Sequence, residues 1–401
     1  MANIIPIDDL TTLVLGNGVE TIKSEAFKDA SKLTTVNFGS SLKTIEEKAF
    51  YNTKLKNVEL PKSLKTIGDE AFGNTQITSF TISNNVTSIG SDILNSSPVT
   101  ELNIGNGVEE ITASNFLGIK TTLRKLNIDS ENIRIGSFSS FTNLVEVNFG
   151  DNVKTLGQAS FSNCNLTTIV LPKNVTTIGT AAFNNNNISN TIIFPSNLTT
   201  IESAVFGLNN ISSFTLNDKI TTIPYAIFYD NNFTELDIPS GVTIIGDGAF
   251  DGNPIERLTL PEGLTKIGDS AFSDILITKL TIPDTVTHIG ENTFKNNKLD
   301  YLKLSNSLTY IGKKAFNNTN LSTITIPASV ETIEEGAFTK IRTQDTGSDV
   351  YYITNPNLTK IINKTGRSFD WNIIINPNIS TTPFITGTVT NPYGNIEITA
   401  Q

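Results

Sequence analysis

The chain has 401 residues, of which 38% are hydrophobic and 17% charged, and it carries a net charge of −10. Its few lysines and arginines are dispersed, which excludes the clustered cations of a nucleic-acid surface, and no window has the apolar length a membrane span requires. A single cysteine, Cys164, excludes an intramolecular disulfide, and with His288 as the only histidine a zinc site lacks ligands.

The opening stretch "MANIIPIDDL" has no basic segment followed by an apolar run, so it does not read as a signal peptide. From about residue 10 a repeat sets in. Its aromatic anchors are Phe27, Phe50, Phe72, Leu94 in place of Phe, then Phe116, Phe138, Phe161, Phe183, Phe206, Phe228, Phe250, Phe272, Phe294, Phe316 and Phe338, 15 copies spaced 22 or 23 apart. Leu280 with Ile282, or Leu258 with Leu260, alternate as one-sided strands do. Proline ends that strand in seven copies (Pro61, Pro172, Pro195, Pro239, Pro261, Pro283, Pro327), because it has no N–H for a ladder. A second extended piece such as "VTHIG" buries Val286 and Ile289, Gly290 is expected to permit an unusual backbone angle, and a helical turn then points Ala and Phe inward. One such unit cannot bury its apolar face alone, whereas stacked copies can. Parallel strands on successive coils, about 4.8 Å apart, would put like residues in columns.

The unit L-x-x-L-x-L-P-x-x-V-x-x-I-G-x-x-A-F-x-x-N resembles the BspA-like class of leucine-rich repeats, found in bacterial and some protist surface proteins. The resemblance implies a right-handed leucine-rich-repeat solenoid of about 15 repeats, with a parallel β-sheet on the concave face and short helical turns and extended segments elsewhere. Members commonly place Cys two residues after the small residue that follows the Ala-Phe anchor; here that slot holds Cys164 and otherwise mostly Asn, Thr or a small residue. The pattern departs around Leu94 and in "DSENIRIGSF", where no valine is evident, so irregular coils are expected at both. The expected organisation is a repeat array over 1–340, an irregular cap over 341–378 and a β-rich tail over 379–401. Phe369, Trp371 and Ile373 to Ile375 suit a cap over the open end, with Leu358 and Ile361 as one last strand-like piece. The tail reads as two strands joined by "NPYGN", similar to β-rich modules that follow repeat arrays in Gram-positive surface proteins. That resemblance makes the chain read as a fragment of a secreted or surface-attached protein, with flanking domains and a wall anchor removed.

Catalytic constellations are hard to assemble. His288 occupies a variable exposed column filled elsewhere by Thr66, Thr155, Thr177, Thr200, Lys266 and Tyr310, so it reads as a surface substitution. Cys164 reads as a buried, inert thiol. Glu101, Glu146, Glu235 and Asp237 fall on different coils rather than forming a glycosidase pair. The glycines belong to the repeat and not to a phosphate loop, and "DGNP" lacks the rest of a calcium loop. Triplets such as those at Asn165, Asn197, Asn232 and Asn357 read as by-products of the repeat. No cofactor, metal or enzymatic activity is expected.

Two outward positions per coil on the first strand escape packing, and Thr and Asn fill most of them as an exposed sheet accepts. Glu235, Asp237, Arg257, Lys279, Tyr301 and Lys303 stand out as the candidate partner-binding set, since Tyr and Arg concentrate at interface centres. A charge ladder that only keeps the sheet soluble is the competing reading. Val170 and Ile193 are outward apolar residues on neighbouring coils, either a sticky spot or a shift of register. The leading expectation is a non-enzymatic, adhesin-like monomer that binds a protein or host-surface receptor, with a glycan as a second ligand class, and neither binds nucleic acid nor inserts in a membrane. A spacer holding a distal domain is the alternative; a glycan- or ice-facing threonine ladder (Thr155, Thr177, Thr200, Thr222) is weaker, being broken by Ile244, Lys266 and Tyr310.

Overall fold

The computed structural model describes residues 7–343, 350–354, 360–364, 387–391 and 394–400. They fall into two compact units, Met1–Ile201 and Glu202–Gln401. Each is a β-solenoid of stacked coils. Along the first strand of a coil, alternate residues are exposed and buried, as in Thr35–Asn37 and Lys279–Thr281. The second strand is two residues long, with its apolar member inward, as in Thr44–Ile45 and Lys266–Ile267.

In the N-terminal unit, Thr12–Val14 pairs in parallel with Thr35–Asn37, and Ser79–Ile82, Glu101–Ile104, Lys125–Ile128 and Glu146–Phe149 form a four-stranded parallel sheet in strict register. Its second strands form ladders of four and five, the latter running from Glu110–Ile111 to Thr200–Ile201. In the C-terminal unit, Glu235–Asp237 pairs with Arg257–Thr259 and Lys279–Thr281 with Tyr301–Lys303, while six second strands run from Thr222–Ile223 to Thr332–Ile333. Identical columns therefore meet: Phe27, Phe50 and Phe72 stack at 5.4 and 5.5 Å, and Phe250, Phe272, Phe294, Phe316 and Phe338 stack at 5.5–5.6 Å.

The helical turns beside the anchors take the form of single i→i−3 turns, such as the amide of Lys28 donating to the carbonyl of Glu25. Two residues per coil adopt left-handed backbone, for example Asn52 and Lys48 at φ 59° and 52°. Asn and Asp tolerate that conformation best, and they also ladder: Asn52 donates to Asp29 at 2.8 Å and Asn74 to Asn52 at 2.8 Å. On this face Phe27 and Asp29 donate their amides forward to Ala49 and Tyr51, whereas on the second strand Glu46 donates backward to Ile22. These coils are thus bonded to each other with both polarities.

The repeat glycine is not where the backbone is strained. Gly290 lacks a positive φ; a Cβ there would sit 2.7 Å from the amide nitrogen of Asp269 and 2.8 Å from the carbonyl carbon of Gly268. Its job is close approach of coils, and the left-handed residue is Asn292 instead, at φ 53°. Gly290→Ala is expected to cost about 1–3 kcal/mol by overpacking, while Gly263→Ala, whose Cβ would meet only Ser240 at 3.7 Å, is expected to be nearly neutral. Thermal melts of the two variants check this; equal melts would remove the close-approach account.

The irregular coils lie elsewhere than expected. The coil at Leu94 keeps its two left-handed residues, Asp92 and Ser96, and Leu94 is buried in the anchor slot. In the next suspect coil Ser130 fills the valine slot, fully buried, and Asn132–Ile133 keeps register with both neighbours. The departure is instead the pair of 3-10 helices Ala113–Asn115 and Leu117–Ile119, which leave Leu117 half exposed.

At the far end of the C-terminal unit, Lys360–Asn363 adds in parallel to Thr323–Ile326, Gly394–Ala400 adds to that strand, and Gly387–Asn391 closes the sheet antiparallel. Ile361 and Ile398 are buried by this addition, so backbone pairing covers the edge that a stack would leave open. Thr339–Thr343 and Val350–Thr354 make a separate antiparallel hairpin. Phe369, Trp371, Ile373 to Ile375 and Leu358, assigned to a cap above, lie outside the described residues.

Candidate interaction surface

The outward side chains of the first strands are the columns left free by packing. In the N-terminal unit they neutralise one another. Lys125 lies between Glu101 and Glu146 at 4.0 and 3.4 Å, and Asn148 donates to Asn127, which donates to Asn103, itself bonded to Thr81. Glu146 is held below the ordinary carboxylate range, first by the amide of Asn148.

The six singled-out residues of the C-terminal unit are exposed on their strands, but the structure divides them. Arg257 forks onto Glu235 at 2.6 Å and Asp237 at 3.0 Å. Its guanidinium pKa is raised by that contact with Glu235, and the Asp237 carboxyl is lowered, first by the Thr259 hydroxyl and then by Arg257. Lys279 stands opposite Tyr301, and Thr281 opposite Lys303, in a separate pair of strands. Among the described residues neither lysine has an ion-pair partner, and Tyr301 is 53% exposed. A self-paired acidic cluster therefore precedes a cationic, aromatic patch.

Val170 and Ile193 are 80% and 66% exposed while their neighbours Ile169, Leu171, Ile192 and Phe194 are buried, so register holds and the two are surface apolar residues. Beside them the Asn190 side chain accepts from the Ile169 amide and donates to its carbonyl, both at 2.9 Å, standing in for a strand residue.

His288 sits in its expected column between Lys266 and Tyr310 and stacks on Tyr310 at 4.5 Å and 3°. Burial, then the charge of Lys266, lowers its pKa. Cys164 is buried with its thiol 3.2 Å from the carbonyl of Phe138, and burial pushes its pKa up to about 12. The folded chain therefore favours the protonated thiol. That contribution is complete below the ordinary value of 9.0 and is lost as pH rises from there towards 12. Ellman's reagent at pH 8 is expected to label Cys164 only after denaturation; stoichiometric labelling of the native protein would contradict its burial.

Two features escaped sequence reading. One is a cleft of about 560 Å³ in the C-terminal unit, lined by Tyr225, Tyr229, Asp247, Asp251 and Asp269 over the small side chains of Ala204, Ala226 and Ser270. The small residues at the left-handed position were its visible signal. The other is the role of the column holding Cys164, elsewhere Asn186, Asn231 and Asn253, whose buried amides bond backbone across coils. Among the described residues no group of three His, Cys, Asp or Glu is placed to hold a metal, and no helix is long and apolar enough to cross a membrane.

Parallel one-coil translation, alternating columns and an aromatic spine define a leucine-rich-repeat solenoid. The BspA type leucine-rich repeat region model matches residues 7–122, 109–233 and 221–343, in six copies, and the chain belongs to that family. Among solved structures it is similar to a leucine-rich repeat protein from Bacteroides ovatus (21% identity, 79% of each chain, TM-score 0.50). It is also similar to a leucine-rich cell surface protein from Faecalibacterium prausnitzii (18% identity, 75% of this chain and 76% of that one, TM-score 0.37). A third is the pneumococcal vaccine antigen PcpA (17% identity, 67% and 74%, TM-score 0.31). The first of these likenesses is one of fold. No curated protein matches the sequence. Membership of this leucine-rich-repeat family makes a protein-binding scaffold the broad reading of the chain.

Proposed function

We propose that this chain is a non-enzymatic, extracellular scaffold that binds a protein or host-surface receptor through the outward columns of its first strands, in the C-terminal unit above all. The observation that carries this reading is the contrast within each strand. Inward positions are held to Leu, Ile, Val or Phe by the stack, while outward ones change identity from coil to coil and reach Arg257, Lys279, Tyr301 and Lys303. A regular stack presents a long surface suited to a macromolecule rather than an enclosed pocket. Tyrosine and arginine in such a setting are the side chains that dominate interface energies.

The test is binding of the labelled protein to immobilised host extracellular proteins and to host cells. The double variant Arg257→Ala/Tyr301→Ala, whose side chains are exposed, is expected to lose most of that binding with an unchanged melting temperature. Binding of the double variant equal to that of the parent would remove this surface as the contact and favour a spacer role.

A further inference from the structure

We infer that the partner segment seated on Lys279, Tyr301 and Lys303 is a short, extended acidic polypeptide with carboxylates at alternate positions. This deepens the binding role proposed above and rests on it. The first argument is charge. Two other charged groups on the first-strand columns meet their complement on the adjacent coil: Lys125 meets Glu101 and Glu146, and Arg257 meets Glu235 and Asp237. At Lys279 and Lys303 that complement is missing among the described residues. The acid that feels Lys303 is Asp284, and its two oxygens bond the backbone amide and side chain of Asn306, both at 3.0 Å. Two ammonium groups thus flank an exposed phenol, and among the described residues neither has an ion-pair partner.

The second argument is spacing. Lys279 faces Tyr301 across one strand interval, and Lys303 lies two residues beyond Tyr301 on the same face. With strands about 4.8 Å apart and a rise of about 3.3 Å per residue, the two lysine stems start about 8 Å apart on a diagonal over the tyrosine. Alternate side chains on one face of an extended peptide are about 6.7 Å apart, within reach of two lysine side chains, and the residue chain between them would lie against the Tyr301 ring. A lone anion would engage one lysine; a helical segment would put carboxylates three or four residues apart.

The third argument is length. The adjoining coils carry Glu235 and Asp237 against the single guanidinium of Arg257, an excess of one negative charge that repels an acidic segment, and on the other side stand the neutral Thr323 and Thr325. The complementary stretch is therefore only two coils wide. The chain as a whole is at −10, but at physiological ionic strength charges beyond about 8 Å are screened, so the local lysines decide.

The experiment uses the full chain and fluorescein-labelled peptides by anisotropy at 50 and 300 mM NaCl. An alternating Glu–Thr octapeptide is compared with its Gln–Thr isostere, with the same residues reordered as Glu-Glu-Thr-Thr-Glu-Glu-Thr-Thr so that no two glutamates stand at alternate positions, and with a heparin hexasaccharide. Saturable binding of the alternating peptide is expected, weakened about tenfold or more by Lys279→Gln/Lys303→Gln and by high salt, as loss of complementary charge contacts dictates. The isostere is expected not to bind. Tyr301→Phe should retain binding and Tyr301→Ala should weaken it, which separates ring packing from loss of fold. The inference is overturned if the lysine double variant binds the alternating peptide like the parent, if the reordered peptide binds as well, or if only the sulfated hexasaccharide binds. Those failures leave the proposed scaffold role standing wherever host-protein binding still needs Arg257 and Tyr301. Loss of that dependence would instead remove the role itself.

Discussion

Phe50→Ala is expected to destabilise the N-terminal unit by about 3–5 kcal/mol, and Phe27→Ala by far less. Phe50 is fully buried, with its ring sandwiched between Phe27 at 5.4 Å and Phe72 at 5.5 Å and touched edge-on by Phe38. Truncation removes the transfer free energy of the ring and opens a cavity in two coil–coil contacts at once, and stacked pairs add about 0.5–1.5 kcal/mol beyond area. The fold around it cannot collapse into the space, because the Phe50 amide is bonded to Ala71 and that of Phe27 to Ala49, which fix coil spacing. Phe27 stacks on Phe50 alone and is only part buried. In a stack where each coil touches its neighbours, an internal anchor supports two interfaces and a terminal one supports a single interface. Urea unfolding followed by circular dichroism of parent, Phe27→Ala and Phe50→Ala gives the comparison. Equal losses for the two variants would mean that unfolding does not follow coil–coil contacts.

What could be read from sequence followed from packing. The 22-residue return of Phe and the alternation Leu-x-Ile are forced by columns that must bury one another, so the solenoid, its parallel pairing and the outward positions were legible. Misreadings arose where one residue type answers two demands. Glycine serves either left-handed backbone or close approach, and only the geometry at Gly290 shows that the second applies. Ser130 in a valine slot looked irregular, yet a fully buried serine fits the space and keeps register. The six outward residues looked like one patch because sequence places side chains on a face but not their torsions. The fork of Arg257 onto Glu235 and Asp237 sets those three apart as a self-paired cluster from Lys279, Tyr301 and Lys303. The cleft lined by Tyr225 and Tyr229 comes from small residues four coils deep, a depletion that no motif records.

Asn253→Ile is expected to cost about 3 kcal/mol, and Asn231→Ile about half of that, although both replace a buried amide in one column. The Asn253 amide nitrogen donates to the carbonyls of Phe228 at 2.8 Å and Phe250 at 3.0 Å, and its oxygen accepts the Phe233 amide at 3.2 Å. Asn231 donates likewise to Phe206 at 2.9 Å and accepts the Ile211 amide at 2.9 Å. The asymmetry lies in the neighbours. When Asn231 is lost, the Phe206 carbonyl keeps Asn209 as a donor at 3.1 Å, so the Ile211 amide is the group left to pay for. When Asn253 is lost, the next coil carries Ile275 in the same slot, so the Phe250 carbonyl has no amide to turn to, and the Phe233 amide is orphaned as well. A buried polar group left unpaired costs about 1–3 kcal/mol, and two cost more than one. Ile275 itself is tolerated because Asn253 on one side and Asn297 on the other serve the carbonyls of Phe250 and Phe272. In this unit Ile275 stands between two Asn, so Asn253→Ile would place two apolar residues in succession there. The double variant Asn253→Ile/Ile275→Asn should recover about half of the loss, since it restores a donor to the Phe250 carbonyl but leaves the Phe233 amide unpaired. Urea midpoints of the three variants measure this; if Asn231→Ile and Asn253→Ile fall together and the double variant recovers nothing, each amide acts alone and the bonds between coils do not set the cost.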